Sequence, residues 1–361
     1  MKFKVKKENL ASALEKVSGI IGSRSTLPIL SNVLLEAQEN KLTLITTDLE
    51  IRITTIIDAE IINQGKTTIA AKRFLTLVKD IRDSDLEIEV SDNKMFIRYK
   101  NGKMMLYTLN PEDFPPPPQI SPTLTFALQQ ADLARMIRLI EYSASRDDSR
   151  KVLNGIFFSM KESIFTAVAT DGKRLALAEK HVNESTGQDG DCIIPPKTAI
   201  EVQRILDKDG PVKIEVGNNQ VRFSTSTLSV ISKVVEGSYP NFRQVIPTSF
   251  SRKFEVKSAD FLSTLKITSH ISDENACAKL SVLSNKLVLN VTATEIGEAE
   301  ETIDITYSGP ETNLMFNPRF LMDPFRIIDS DLAIFNLNEG FSPFMISAGE
   351  GFLYVIMPIR R

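Results

Sequence analysis

One order of elements occurs three times along this chain, and any fold must house all three passes in the same way. The first pass predicts an amphipathic helix over Glu8–Ile21, strands over Leu30–Leu35 and Leu42–Thr47, a second helix over Lys72–Ile81, and a strand pair at Leu86–Val90 and Met95–Tyr99. The order restarts at Ala131 and again at Ala259. A spacing of roughly 120 residues marks whole domains rather than solenoid units of roughly 20–50. The chain of 361 residues is also too long for one core, since single cores stop growing near ~250–300 residues.

The repeats align residue by residue. Apolar side chains recur at helical intervals as Leu10, Leu14, Val17 and Ile21, then Leu133, Ile137 and Ile140, then Phe261 and Leu265. Hairpin turns follow at Gln38–Lys41, Lys161–Ser163 and Ser284–Lys286. Matching junctions open the second helices at Ala70–Phe74, Pro195–Ala199 and Asn317–Phe320. Proline suits the first helical turn, where its missing N–H is no loss. Closing hairpins turn at Asp92-Asn93, Gly217–Asn219 and Asn338–Gly340. The fold class expected is α+β, with three similar domains of helices packed on antiparallel sheets over 1–118, 119–247 and 248–361. Pro324 breaks the pattern inside the last helix, where it should kink or split it at a cost of about 3 kcal/mol. The run Asp113-Phe114-Pro115-Pro116-Pro117-Pro118 reads as a stiff linker, and Tyr239–Ser249 as a second connector.

Composition narrows the function. Cys192 and Cys277 are far apart and read as reduced core thiols. The N-terminus leads into an alternating strand rather than a signal peptide, and no apolar run reaches a membrane span of ~18 residues. A net charge of −3 argues against a uniformly basic coat but allows a basic face. The two histidines, His181 and His270, stand apart from the cysteines, and no HExxH, GxSxG, P-loop or GxGxxG motif occurs. The acidic runs Asp147-Asp148 and Glu298–Glu301 read as solvated surface. No cofactor, metal site or catalytic residue is expected.

Six segments together carry a resemblance. They are Met1-Lys2-Phe3, Ser25–Asn32, Thr46–Glu50, Leu153–Gly155, Ala169–Leu175 and Tyr354–Arg360. In collinear order they resemble the beta subunit of bacterial DNA polymerase III, the replication sliding-clamp family. The resemblance implies half of a closed ring: two subunits head to tail, helices lining the hole, and duplex DNA encircled without sequence readout. It also implies a cytoplasmic, nucleoid-associated protein without catalysis, serving polymerases, clamp loader and repair proteins through short linear motifs.

Site residues follow in the same way. By resemblance Arg24, Arg73, Arg146, Arg150, Lys151 and Lys197 would face DNA; Lys72 and Arg204 join them as basic residues on the repeats' helices, a set that recurs in the third copy as Lys266, Arg319 and Arg326. A partner-peptide pocket would use Leu153, Thr170, Gly172, Lys173, Arg174, Leu175, Pro240, Val245, Val355, Ile356, Met357, Pro358, Ile359 and Arg360. Gln244 and Ala276 depart from the family's arginine and phenylalanine, giving a less basic and less aromatic rim. Met104 and Leu106 would meet His270 and Ile271 of the second subunit, although Leu106 and Ile271 equally suit a sheet core. Two rival readings make different demands. A metabolic enzyme of repeated units needs a pocket with titratable residues, and a protein-only scaffold needs no recurrent basic helix face.

Overall fold

The computed structural model describes residues 1–22, 27–147, 149–183, 185–271, 277–340 and 342–359. Arg24, Asp148, Ala276 and Arg360, named above, lie outside the described residues, as do Ser25 and Thr26. The first third runs β1 (Lys2–Lys6), α1 (Lys7–Ser18), β2 (Asn32–Gln38), β3 (Lys41–Thr47), β4 (Ile51–Asp58), β5 (Glu60–Asn63), β6 (Gly65–Ala70), α2 (Ala71–Asp80), β7 (Asp85–Ser91), β8 (Lys94–Tyr99) and β9 (Gly102–Tyr107). The second runs β10 (Pro122–Gln129), α3 (Gln130–Ile140), the single turn α4 (Lys151–Asn154), β11 (Ile156–Lys161), β12 (Ile164–Thr170), β13 (Arg174–His181), β14 (Ser185–Gly187), β15 (Gly190–Ile194), α5 (Pro196–Ile205), β16 (Pro211–Gly217), β17 (Gln220–Ser224) and β18 (Leu228–Lys233). The third runs β19 (Arg252–Lys257), α6 (Ser258–Ser269), β20 (Cys277–Leu283), β21 (Lys286–Ala293), β22 (Gly297–Asp304), β23 (Thr312–Phe316), α7 (Pro318–Phe325), β24 (Leu332–Leu337), β25 (Phe344–Ser347) and β26 (Phe352–Ile356).

The hairpin turns explain the register. Glu39 and Asn40, Glu162 and Ser163, and Asp92 and Asn93 all take positive φ, between 49° and 63°. Such turns match the right-handed twist of the strands they join. One strand begins later than the periodicity suggests. Pro28–Ser31 form a 3-10 turn with proline at its start, so β2 opens at Asn32, whose amide donates to Thr68 Oγ1 at 3.1 Å. The helices bury the expected stripes: Leu10, Leu14 and Val17 in α1, Leu133, Ile137 and Ile140 in α3, Phe261 and Leu265 in α6.

Among the described residues every strand pairing is antiparallel, and each third contributes strands to two sheets, one or both of which cross a copy boundary. β18 pairs with β4, from Leu228 opposite Thr55 to Ser232 opposite Ile51. The result is a nine-stranded sheet in the order β14-β10-β16-β17-β18-β4-β3-β2-β6. β26 pairs with β13 in the same way, from Arg174 opposite Ile356 to Ala178 opposite Phe352. This gives eight strands in the order β15-β11-β12-β13-β26-β25-β24-β19. Two smaller sheets remain, β5-β1-β7-β8-β9 and β22-β21-β20-β23. The chain divides into two compact units, one of Met1–Ala131, Glu184–Gln188 and Glu201–Val234, the other of Asp132–Asn183, Asp189–Ile200 and Val235–Arg361. The middle third of the sequence is therefore shared between them.

Pro324 neither kinks nor splits its helix. It sits in the last turn of α7, which ends after 8 residues where α2 and α5 have 10. Proline cannot donate to the carbonyl four residues back. That carbonyl, on Phe320, instead accepts from the Tyr354 hydroxyl at 2.7 Å. The carbonyl of Pro324 closes the helix by accepting from Ile327 and Ile328 at 2.9 and 3.0 Å. Both cysteines are buried free thiols, and burial, helped by Asp191, pushes Cys192 up to about 12.

Candidate functional site

The segment between β12 and β13 is a turn organised by two side chains. The Thr170 hydroxyl donates to the Arg174 carbonyl at 2.6 Å and accepts from the Gly172 N–H at 3.1 Å. Asp171 Oδ1 accepts from the N–H groups of Lys173 and Arg174 at 2.9 and 3.0 Å. Short polar side chains that satisfy backbone two or three residues ahead are the usual makers of such turns. Gly172 takes φ +85°, a region that disfavours any Cβ. The hairpin-turn role of Asp171-Gly172 and its place beside the groove therefore coexist.

Arg174, expected to line the pocket, is a largely buried strut. Its side chain is 9 % exposed, with Nε on Asp171 Oδ2 at 3.1 Å, Nη1 on Asp323, and Nη2 on the Tyr142 carbonyl at 2.6 Å. The guanidinium lies over the Phe320 ring at 4.6 Å and the Tyr142 ring at 5.7 Å. Burial opposes its charge, but Tyr354 and Asp323 outweigh burial and hold its pKa above the ordinary arginine value. A charge removed from water persists only when paired and hydrogen-bonded in this way. Burial likewise pushes the Tyr354 hydroxyl upward, against the pull of Arg174. Tyr142, Phe320, Asp323 and the Tyr354 hydroxyl were not expected. An arginine inside an otherwise apolar strand signals a buried acid somewhere, but Asp323 lies 149 positions away.

Beside this strut lies an apolar floor of Phe157, Val168, Leu175, Leu177, Ile193 and Val355, edged by Val152, Tyr239, Phe242 and Ile246. The segment after β26 runs along it. Met357 N–H donates to the Lys173 carbonyl at 2.9 Å, and Ile359 N–H to the Met315 carbonyl at 2.7 Å. These two bonds tie down residues that leave their side chains in water: Met357 is 41 % exposed, Ile359 38 %, and Val245 across the connector 45 %. Of the expected pocket residues, Thr170, Leu175, Val355 and Ile356 are buried, Leu153 and Pro358 half-buried, and Gly172, Lys173 and Pro240 exposed. Gln244 is exposed within a 3-10 turn over Phe242–Val245. Met357, Ile359 and Val245 are thus exposed apolar side chains among the expected pocket residues.

The expected DNA-facing residues fall on helix ends and one loop. Lys72 and Arg73 are exposed in the first turn of α2, and Lys197 in the first turn of α5. Arg146 and Arg150 are exposed on the loop between α3 and α4, and Lys151 opens α4. Arg204 ends α5 and is held: it bonds Glu201 at 2.7 and 3.0 Å and the carbonyls of Glu15 and Lys16 at 3.2 and 2.9 Å. It supplies fixed charge rather than a mobile phosphate ligand. The expected subunit contacts also fall at surfaces. Met104 and Leu106 are half-buried on β9, and Met104 lines a shallow cleft with Leu77, Ile81 and Tyr99. His270 is exposed at the C-terminal end of α6, with Ile271 half-buried beside it.

Comparison with known proteins decides the family. Models of the DNA polymerase III beta subunit match end to end: the N-terminal domain over residues 1–118, the central domain over 127–241, and the C-terminal domain over 243–360. The chain belongs to the DNA polymerase III beta subunit family. It is 31% identical over 366 residues to the beta sliding clamp of Escherichia coli K12, with 100% of each covered. The sliding clamp of Pseudomonas aeruginosa, solved bound to griselimycin, superimposes with a TM-score of 0.95 at 27% identity, covering 100% of both chains. That of Bartonella birtlesii, also bound to griselimycin, gives 0.92 at 29% identity with the same coverage. As a member of this family the chain is a DNA sliding clamp for the replicative polymerase. Among the described residues no group of His, Cys, Asp and Glu is placed to hold a metal ion, and no helix is long and apolar enough to cross a membrane.

Proposed function

We propose that this clamp works as a closed ring of two head-to-tail subunits that encircles duplex DNA and carries partner proteins in the groove at Met357. The observation that carries the reading is the repeated seam. β18 joins β4 and β26 joins β13, so the last strand of one sheet twice meets the equivalent strand of the preceding copy. β9 is the counterpart of β18 and β26, β22 of β4 and β13, and among the described residues neither has a partner on its outer edge. Unpaired edges are normally covered or joined to another chain. A third seam, from β9 of one subunit to β22 of the next, completes the series. Lys103 on β9 supplies charge opposite in sign to Glu298, Glu300, Glu301 and Asp304 on β22. Met104 and Leu106 would then belong to the same interface as His270 and Ile271. Ile271→Glu should give monomers in analytical ultracentrifugation, and a dimer that persists in that variant would reject the seam.

Encirclement suits the weak charge available. Non-specific contacts hold DNA with a Kd of only about 10⁻⁴–10⁻⁶ M, whereas a ring is lost only by opening. The proposed DNA-facing set is Lys72, Arg73, Arg146, Arg150, Lys151 and Lys197, with Arg204 as fixed charge and Arg24 carried from the sequence alone. Retention on closed circular DNA after loading, with rapid release once the circle is cut, is the expected behaviour; slow release after cutting would favour tight binding over topology. The proposed domains are 1–118, 119–247 and 248–361; the family models cover 1–118, 127–241 and 243–360. We infer no catalytic step, a cytoplasmic, nucleoid-associated setting, and short linear motifs of polymerases, clamp loader and repair proteins as groove ligands. Met357→Ala should weaken peptide and griselimycin binding by roughly tenfold, the loss of one apolar anchor worth about 1.5 kcal/mol, while leaving the dimer intact.

A further inference from the structure

Three strands open the three copies and lead directly into their first helices: β1 into α1, β10 into α3 and β19 into α6. On one side they pair with β7, β16 and β24. On the other, β1 carries β5 and β10 carries β14, whereas β19 ends its eight-stranded sheet. The copies part at one residue. Ala59, Val182 and Ile305 each donate a backbone N–H to a carbonyl of the hairpin turn behind them, at Asn40, Ser163 and Asn285. Beyond it the first two copies run on into β5 and β14, but the third folds back on Asn285. Tyr307 N–H bonds Asn285 Oδ1 at 3.3 Å, its carbonyl accepts from Asn285 N–H at 3.0 Å, and its hydroxyl donates to the Pro310 carbonyl at 2.8 Å. A cleft of about 990 Å³ is left between β19 and Asp304–Thr306.

The open edge is able to pair. Ser258 N–H donates to the Asp331 carbonyl at 2.9 Å, as Lys7 N–H does to Ser84 at 2.8 Å. Bonding groups alternate along an antiparallel strand, so Lys253, Glu255 and Lys257 point their N–H and C=O away from β24. Their side chains are exposed, while Phe254 and Val256 are buried. We infer that β19 takes up an extended segment of a partner protein as the strand this copy lacks, with a lysine or arginine opposite Glu255 and an apolar residue on either side of it. Copy one supplies the template. There Ile61 lies opposite Phe3, and Glu60 opposite Lys4 with Nζ and Oε1 3.2 Å apart. Glu255 stands at the place of Lys4, so the charge demanded of the added strand is reversed. Around the cleft the carboxylates of Glu255, Asp260, Glu301 and Asp304 outnumber Lys253 and Lys257, which again favours a basic residue. Main-chain bonds along such an edge supply affinity, and the side chains opposite supply choice. Charged edge residues also deter indiscriminate pairing. The seam proposed above uses β9 and β22, so closing the ring does not consume this edge.

The test uses the full-length clamp and two fluorescent peptides, Ser-Thr-Val-Lys-Val-Thr-Ser and Ser-Thr-Val-Glu-Val-Thr-Ser, read by anisotropy. At roughly 50 mM salt the lysine peptide should bind about fivefold tighter, a preference that shrinks at roughly 500 mM. Glu255→Lys should reverse the order of the two. Glu255→Pro removes an outward N–H, a change that an edge strand tolerates. It should abolish binding of both peptides and leave the thermal unfolding midpoint unchanged. Hydrogen exchange should slow over residues 252–258 when the lysine peptide is added. Absence of saturable binding, equal affinity for the two peptides, or binding that survives Glu255→Pro overturns the inference. Slowed exchange at 297–304 instead would put the peptide on β22, and slowing at 252–258 that rises with clamp concentration alone would give the edge to a second copy. Either result overturns it as well.

Discussion

The turns at Thr47–Ile51 and Thr170–Arg174 are built from the same hydrogen bonds. In the first, Thr47 Oγ1 donates to the Ile51 carbonyl at 2.9 Å and accepts from Leu49 N–H at 3.1 Å, while Asp48 Oδ1 accepts from Glu50 and Ile51 N–H at 3.0 and 2.7 Å. Lys233 N–H reaches the Glu50 carbonyl at 3.0 Å, as Met357 N–H reaches Lys173. The side chains around the two turns differ. Leu34 and Ile45 face each other in the first copy as Phe157 and Val168 do in the second. Phe114 of the proline segment covers them, with Ile29 beside it. Arg52 stacks on Phe114 at 5.6 Å and donates to the Pro115 carbonyl at 2.8 Å, pinning the linker in place. Around Phe157, Tyr239 stacks at 4.8 Å and Phe242 lies tilted at 5.7 Å, while Met357, Ile359 and Val245 are exposed.

The contrast can be broken most directly at its two arginines. Arg174→Leu strands Asp171 and Asp323 in a largely dry site and should destabilise its unit by about 3–5 kcal/mol. Arg52→Leu removes one hydrogen bond and a ring contact, for about 1–2 kcal/mol. Urea unfolding followed by hydrogen exchange at residues 47–52 and 170–175 separates the two; equal losses would erase the distinction between strut and pin. A smaller test concerns the turns themselves. Leu49 holds φ +75°, so Leu49→Gly should stabilise by up to about 1 kcal/mol. A Cβ at Gly172 meets only Arg150 Nη1, at 3.5 Å. Gly172→Ala should therefore cost about 1 kcal/mol through the backbone alone, read as a lowered Tm. Shifts of the same sign in both variants would show that the turns are not equivalent.

The smallest effect belongs to Glu141, which has no counterpart in the other junction. Burial raises its pKa, and its Oε2 has no hydrogen-bond partner among the described residues. The folded state therefore favours the protonated acid. Stability is full below the unfolded value of about 4.3 and falls as pH rises through the folded pKa. Glu141→Gln should raise Tm slightly at neutral pH, with no gain near about pH 4. A gain independent of pH would trace the effect to packing instead.

Much of this architecture was readable because it is local. The apolar spacing of Leu10, Leu14 and Val17, the turn at Asp92-Asn93, and the prolines opening α5 and α7 each fix a few neighbouring dihedrals. Pro28 was different: a proline that nucleates a 3-10 turn looks, in alternating apolar sequence, like the approach to a strand. The fused sheets were not readable at all, since the pairing of β26 with β13 joins strands far apart in sequence through backbone groups every residue has. Arg174 shows the same limit at the site. Its place in the turn was legible from the Thr-Asp-Gly motif, but its burial depends on Asp323 and Tyr142, which no local pattern connects to it.

Tyr354 caps a helix it does not belong to. Because its hydroxyl takes the carbonyl that Pro324 leaves unanswered, the two positions are coupled: a phenylalanine at 354 would remove that donor, and an alanine at 324 would supply an N–H of its own. That coupling also tethers the tail strand to α7, so a molecule pulling on Met357 pulls on the helix that carries Arg319 and Arg326.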